Sequence, residues 1–364
     1  MPSFGRARDG TGNHGDTWQT MDAAAAGLEP QLLHDLTERF ATWKKANVHS
    51  ILIARHGKLL YEQYFPGLDS RFGAPSKQVQ FASNVPHDHR SLTKSVVALL
   101  VGVGFEKGWL RDLDQPIFSL LPSYSDLATE EKACITLRHL LSMSPGLAWN
   151  ENLPYPHPEN SETPMHEVGD PGLHVLKQPV VAPPGAIWNY NSGTTLLLGS
   201  ILEQATGMQL EDLAEAHLFR PLGIQSAEWF REPQNGQLMV HYGLRMLPVD
   251  TLKLGQLVLC KGTWAGNQIV PSQWIQEAIS PQISGADGWL YGFQFWLGRS
   301  WINQREISWA AGRGYGGQCL FIVPSLDLLL LVHAGLYESP RGSQLHQAAG
   351  SNLLNQFVLT GIKT

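Results

Sequence analysis

At 364 residues the chain has room for one large domain, or for two lobes built around one site. Apolar residues make up 43% and charged residues 16%, a balance that excludes an intrinsically disordered chain. The net charge of −6 and pI of about 6.1 exclude the basic excess expected of a nucleic-acid-binding domain.

Residues 1–28 are rich in Gly, Ala and Asp without a sustained period, and read as a flexible N-terminal tail. They show no charged-then-apolar leader, so the expected compartment is the cytoplasm. From Pro30 to Ala46, Leu32, Leu33, Leu36, Phe40 and Trp43 recur at helical spacing. Two strand-like runs, 51–54 and 59–65, flank His56-Gly57-Lys58 and predict a hairpin. The polar stretch 66–90 reads as a long loop, and loops of that length are often functional.

Apolar spacing predicts helices over 91–108, 136–143, 193–206, 208–219, 250–261 and 271–279. Ser192 is a candidate cap for the third and Gly207 its stop, while Asp250 opens the fifth. The proline-rich stretch 144–190 reads as irregular. The longest apolar runs, such as Val96 to Phe105, fall well short of the roughly 20 residues of a membrane span. Strands return at 289–297, 318–323 and 328–332, and a last helix is expected over 342–358.

Strands, then helices, then strands predict an α+β fold. The expected architecture is an antiparallel sheet flanked by helices, with a mainly helical lobe inserted between N- and C-terminal strands. In a single domain spanning 29–364, the sheet lobe covers about 29–90 and 241–364, and the helical lobe about 91–240.

Several motifs fail on context. Gly312 to Gly317 satisfies GxGxxG but runs into a strand, where a dinucleotide site needs a helix. His166-Glu167 lacks the second His of HExxH, and neither a GxSxG elbow nor a P-loop occurs. Cys134, Cys260 and Cys319 lie far apart and form no zinc-ligand pattern or disulfide framework. No metal or organic cofactor is implied.

Ser91-Leu92-Thr93-Lys94 is the one SxxK in the chain. It opens an otherwise apolar helix, and the spacing puts Ser91 and Lys94 on one face. Burial of Lys94 favours a neutral amine, which activates a neighbouring hydroxyl as a nucleophile. The bland alternative is a capped helix, with Asp88 or Ser91 as cap and Lys94 reaching to solvent. Tyr190 and Ser192 follow a Pro184-Gly185 turn. A phenol beside a Lys ammonium is expected to have a lowered pKa and to act as base, then acid. The alternatives are a core aromatic for Tyr190 and a helix cap for Ser192. The glycines from Gly312 to Gly317 allow close backbone approach, or mark a bulge.

These residues resemble the serine β-lactamase and penicillin-binding-protein superfamily over about residues 48–335. The branch most similar holds class C β-lactamases, family VIII-type esterases and 6-aminohexanoate-dimer hydrolase. The resemblance rests on Ser91 and Lys94, on Tyr190-x-Ser192 in place of Tyr-x-Asn, and on two further stretches. Ile135 to Leu147 is similar to the family's TLRHLLTMTSGL, and Pro221-Leu222-Gly223-Ile224 also matches.

The resemblance implies a β-lactamase/transpeptidase-like fold and a serine hydrolase. Ser91 would become acylated, and Lys94 and Tyr190 would shuttle its proton. Ser192 would help to hold Lys94 and substrate, and the backbone N–H groups of Ser91 and Tyr315 would form the oxyanion hole. Trp149, Trp289 and Trp296 are candidate acyl-pocket residues. The family's Lys-Thr-Gly or His-x-Gly appears here as Gly312-Arg313-Gly314, which disfavours β-lactams. The expected partner is a small ester or amide, without nucleic acid or membrane. A non-catalytic binding relative, and a β-lactamase or D,D-peptidase, are the alternatives.

Overall fold

In the computed structural model, which describes residues 18–154, 157–233, 236–337 and 350–363, helix α1 spans Pro30–Thr42. It buries Leu33, Leu36 and Phe40 and begins on a proline, whose missing N–H costs nothing there. Strands β1 (Val48–Arg55) and β2 (Lys58–Tyr64) form the expected hairpin. His56 and Gly57 both have positive φ, 54° and 68°, the type I′ pattern that matches strand twist. The expected loop 66–90 holds a short antiparallel pair, 67–69 with 77–79, and strand β3 (His87–Asp88).

Helix α2 (Thr93–Glu106) starts two residues later than expected, because Arg90–Leu92 forms a separate 3₁₀ turn. It is buried from Thr93 to Gly104, as befits a helix apolar on all sides. Helix α3 (Leu137–Leu141) follows. The stretch 144–190 is less irregular than its prolines predict. It holds two short helices, α4 (Glu162–Met165) and α5 (Pro171–Lys177), and Asp170 caps the second through Leu173 N at 2.9 Å. Helix α6 spans Ser192–Thr206, and its cap is Asn191, which accepts from Thr194 N, not Ser192.

Strands β4 (Glu228–Trp229) and β5 (Leu244–Met246) pair with each other, and β5 also pairs with β3. Helix α7 (Pro248–Leu259) begins at Pro248, with Asp250 inside its first turn rather than opening it. Helix α8 (Ser272–Ala278) leads into the C-terminal strands: β6 (Ile283–Ser284), β7 (Leu290–Tyr291), β8 (Trp296–Ile302), β9 (Arg305–Gly314), β10 (Gln318–Val323) and β11 (Leu328–Ala334).

Among the described residues these six join the N-terminal hairpin in one eight-stranded antiparallel sheet, ordered β6-β7-β8-β9-β10-β11-β1-β2. The central strands bury both faces. Leu52 and Ala54 of β1 join the core shared with the helical lobe, while Ile51 and Ile53 join a second core under α1 and the C-terminal helix. That double burial explains why these strands read as continuous apolar runs.

Of the expected tail over 1–28, residues 1–17 lie outside the described residues, and 18–28 pack on the body. Trp18 Nε1 donates to Val249 O, Thr20 bridges Leu59, and Leu28 is buried against Ile362. Of the last helix expected over 342–358, residues 342–349 lie outside the described residues. From Gly350 the chain is helical, and it widens into a π-turn over Leu354–Leu359.

Candidate active site

Ser91 sits on the 3₁₀ turn that feeds α2. Arg90 ahead of it holds φ = 50°, a left-handed conformation that costs a non-glycine residue energy. Its side chain is tied down: the guanidinium pairs with Asp88 at 3.3 Å and lies 4.8 Å from the Tyr337 ring. Asp88 is fully buried and also accepts from Arg245 and from the Phe72 N–H, so it anchors this turn and caps no helix.

Lys94, the second residue of α2, is 2% exposed, so it does not reach to solvent. Its Nζ donates to Ser91 Oγ at 3.1 Å and to the His241 carbonyl at 3.1 Å. Tyr190 enters from the turn before α6, and its hydroxyl is hydrogen-bonded to both Ser91 and Lys94. The Lys94 Nζ lies 5.1 Å from the Tyr190 ring centroid. The three residues of the sequence motifs thus meet at one point.

The expected lowering of the Tyr190 pKa is not found. Burial raises it, outweighing the Lys94 charge, and Glu151 adds to the rise. Tyr190 is therefore a protonated phenol near neutrality.

Ser192 and Trp149 meet a residue that the sequence did not single out. The Ser192 hydroxyl donates to Glu151 Oε2 at 2.9 Å, and both the Ser192 N–H and the Trp149 indole N–H donate to Glu151 Oε1. Trp149 is 7% exposed within the helical core, so it supports Glu151 instead of lining an acyl pocket. Burial, and then repulsion from Glu162, raise the Glu151 carboxyl above the usual range. Burial pushes Glu162 up too, but hydrogen bonds from His166 and His241 outweigh it and hold that carboxyl low. Burial lowers His241 to about 4. No motif flags Glu151, Glu162 or His241.

Strand β9 closes the site. A Cβ added at Gly314 would lie 2.2 Å from His89 O and 3.1 Å from Ser91 N. Only glycine lets this strand approach the Ser91 amide so closely. Tyr315 follows, 40% exposed, with its hydroxyl donating to Tyr337 O. A Cβ at Gly312 would meet Leu92 and Ser95 at 3.0 Å, so that position faces α2 in a tight fit.

The next side chain, Arg313, lies on an aromatic wall, 4.5 Å from the Trp289 ring and 5.8 Å from that of Trp296. Trp296 stacks on Tyr190 at 5.9 Å, and Trp188 packs against both. Trp296 thus lies beside Tyr190, and Trp289 meets Trp296 edge-on at 6.1 Å. A cavity of about 530 Å³ lies nearby, lined by Arg71, Phe72, Phe230, Arg231 and Tyr242 among others. Ser91, Lys94 and Tyr190 do not line it.

Comparison with known proteins agrees with this geometry. The sequence profile of the family described as Beta-lactamase matches residues 38–348. The chain belongs to the β-lactamase family.

The chain is 28% identical over 217 residues to monacolin J acid methylbutanoyltransferase from Aspergillus terreus, covering 55% of this chain and 52% of that one. It is 27% identical over 256 residues to esterase EstB from Burkholderia gladioli, covering 66% and 61%. The chain thus spans between half and two thirds of the length of these curated relatives. Among solved structures, a Bacillus anthracis protein described as a 6-aminohexanoate-dimer hydrolase superposes with a TM-score of 0.68 at 18% identity, covering 94% and 87%. EstCE1, described as a hydrolase with promiscuous acyltransferase activity, gives 0.66 at 17%, covering 89% and 99%. These superpositions establish the β-lactamase/transpeptidase-like fold. No helix among the described residues is long and apolar enough to cross a membrane.

Proposed function

We propose that the protein is a serine hydrolase that cleaves small carboxylic esters or amides through an acyl-enzyme on Ser91. The observation that carries this reading is the Lys94 Nζ at 3.1 Å from Ser91 Oγ, with the Tyr190 hydroxyl bonded to both.

Ser91 Oγ attacks the substrate carbonyl carbon while its proton passes to the Lys94–Tyr190 pair bonded to it. The backbone N–H groups of Ser91 and Tyr315 stabilise the oxyanion, an arrangement supported by the close approach of Gly314. Tyr190, protonated, gives its proton to the leaving oxygen or nitrogen and regains one from Lys94. The tetrahedral intermediate collapses to a Ser91 ester. Water then attacks this ester, delivering its proton through the same pair, and Ser91 is released with its hydroxyl restored.

Gly312 carries no cation, which argues against tight binding of a β-lactam carboxylate there. The non-catalytic alternative is disfavoured because the proton-handling groups are all present and joined.

A short-chain p-nitrophenyl ester assay with Ser91→Ala as the blank tests this reading. Wild type should turn the ester over and form a covalent fluorophosphonate adduct on Ser91, whereas the variant should do neither. Equal activity in both would overturn it. Nitrocefin in the same screen should be turned over poorly.

A second reading, acyl transfer to an alcohol, draws support from the methylbutanoyltransferase relatives and from the apolar wall beside Tyr190. It differs only in the nucleophile that resolves the acyl-enzyme. Added alcohol acceptor would yield the transesterified product in place of free acid.

A further inference from the structure

Behind Lys94 lies a group of side chains that the acyl-enzyme chemistry does not use. Glu162 and His166 stand four residues apart at the two ends of α4, which puts them on one face. His241 arrives from the turn before β5, and its carbonyl is the one that holds Lys94. The separations among their polar atoms are 2.9 Å from Glu162 Oε1 to His241 Nε2, 3.3 Å between the two Nε2 atoms, and 3.7 Å from His166 Nε2 to Glu162 Oε1.

Hydrogen bonds from both imidazoles to Glu162 leave the contact between the two imidazoles unserved. His241 Nε2 carries at most one proton, which cannot point at both Glu162 and His166. If it points at Glu162, the two imidazole nitrogens face each other at 3.3 Å with no proton between them. A cation takes a lone pair from all three atoms at once. The circle through three points with these separations has a radius of about 1.9 Å, so an ion bound at about 2.0–2.1 Å sits just outside their plane.

From this geometry we infer that Glu162, His166 and His241 form a binding site for one divalent transition-metal ion, zinc foremost. Two imidazoles with one carboxylate suit zinc and disfavour magnesium and calcium, which take oxygen ligands. The His166 side chain is 22% exposed, which gives the ion an entry side and leaves a coordination position for water. The isolated His166-Glu167 pair thus finds its missing histidine not at HExxH spacing but 75 residues away. A second trio, His49, Asp69 and His87, is buried throughout and offers no such entry.

The test is zinc uptake by chelator-stripped protein, read as bound metal per chain after dialysis and as competition with a chromophoric chelator. One equivalent is expected, and cobalt in its place should show the visible bands of a four-coordinate ion. His166→Ala and the isosteric Glu162→Gln should each weaken binding at least about tenfold, while Asp69→Asn should not. Circular dichroism verifies that the variants are folded. No uptake at micromolar zinc, or uptake unchanged in His166→Ala, would overturn the inference. Ser91→Ala should bind zinc normally, so failure of the hydrolase reading and failure of this one are separable.

Discussion

Tyr190 touches Ser91 and Lys94 through one atom and an aromatic wall through the rest of its ring. Tyr190→Phe separates these parts. It keeps the stack on Trp296 at 5.9 Å and removes the hydroxyl bonded to Ser91 and Lys94. The expected result is a fall in kcat of about 10²–10⁴-fold, with KM changed little. A kcat within twofold of wild type would show that the phenol does not relay the proton. The trio Ser91, Lys94 and Tyr190 was legible in the sequence, because each lies in a short motif beside a helix start. The direction of the Tyr190 shift was not, since burial is a tertiary property that outweighs the neighbouring charge. Glu151 was not legible either. Its partner Ser192 lies 41 residues away, and no spacing links them.

At the scale of elements, the decisive contact is between β9 and the Arg90–Leu92 turn. Gly314 allows it, and any side chain there meets the His89 carbonyl at 2.2 Å. Gly314→Ala should push the strand off the turn and widen the gap between the Ser91 amide and Tyr315. The expected loss in kcat/KM is at least about tenfold, and overpacking of this kind costs about 1–3 kcal/mol of stability. Ester kinetics alongside urea unfolding measure both, and wild-type kcat/KM in the variant would remove β9 from the oxyanion hole. The hairpin, α2 and the C-terminal strands were legible from periodicity. Helices α4 and α5 were not, because at four and seven residues they are too short to show a period. The start of α2 was misjudged because no Gly or Pro separates Ser91 from the apolar run, while the positive φ of Arg90 is fixed by Asp88 and Tyr337 from elsewhere.

Across the whole molecule, strands from both chain ends meet beside the Arg90–Leu92 turn, and four imidazoles are sealed into the seam. His49 lies on β1, His333 on β11, His87 on β3 and His89 just beyond, none more than 1% exposed. They are linked: His49 Nδ1 is 2.8 Å from His87 Nε2, and His87 stacks on His333 at 4.5 Å. Burial foremost holds all four neutral, lowering His49 to about 2, His87 and His89 to about 3, and His333 well below its usual value. In the unfolded chain each takes up a proton near pH 6.5. Below that pH the unfolded state binds more protons than the folded one, so stability falls as pH falls. Each neutral imidazole removes up to about 1.4 kcal/mol per pH unit, and four together about 5. Set against a total stability of about 5–15 kcal/mol, that slope unfolds the protein between about pH 4 and 6, before most carboxylates are protonated. Urea unfolding followed by circular dichroism from pH 7.5 to 5 measures it directly. A stability independent of pH over that range would show that the cluster is hydrated or charged in the folded protein. Because the His89 carbonyl packs directly against Gly314, activity should be lost together with this seam rather than by titration at Ser91 alone.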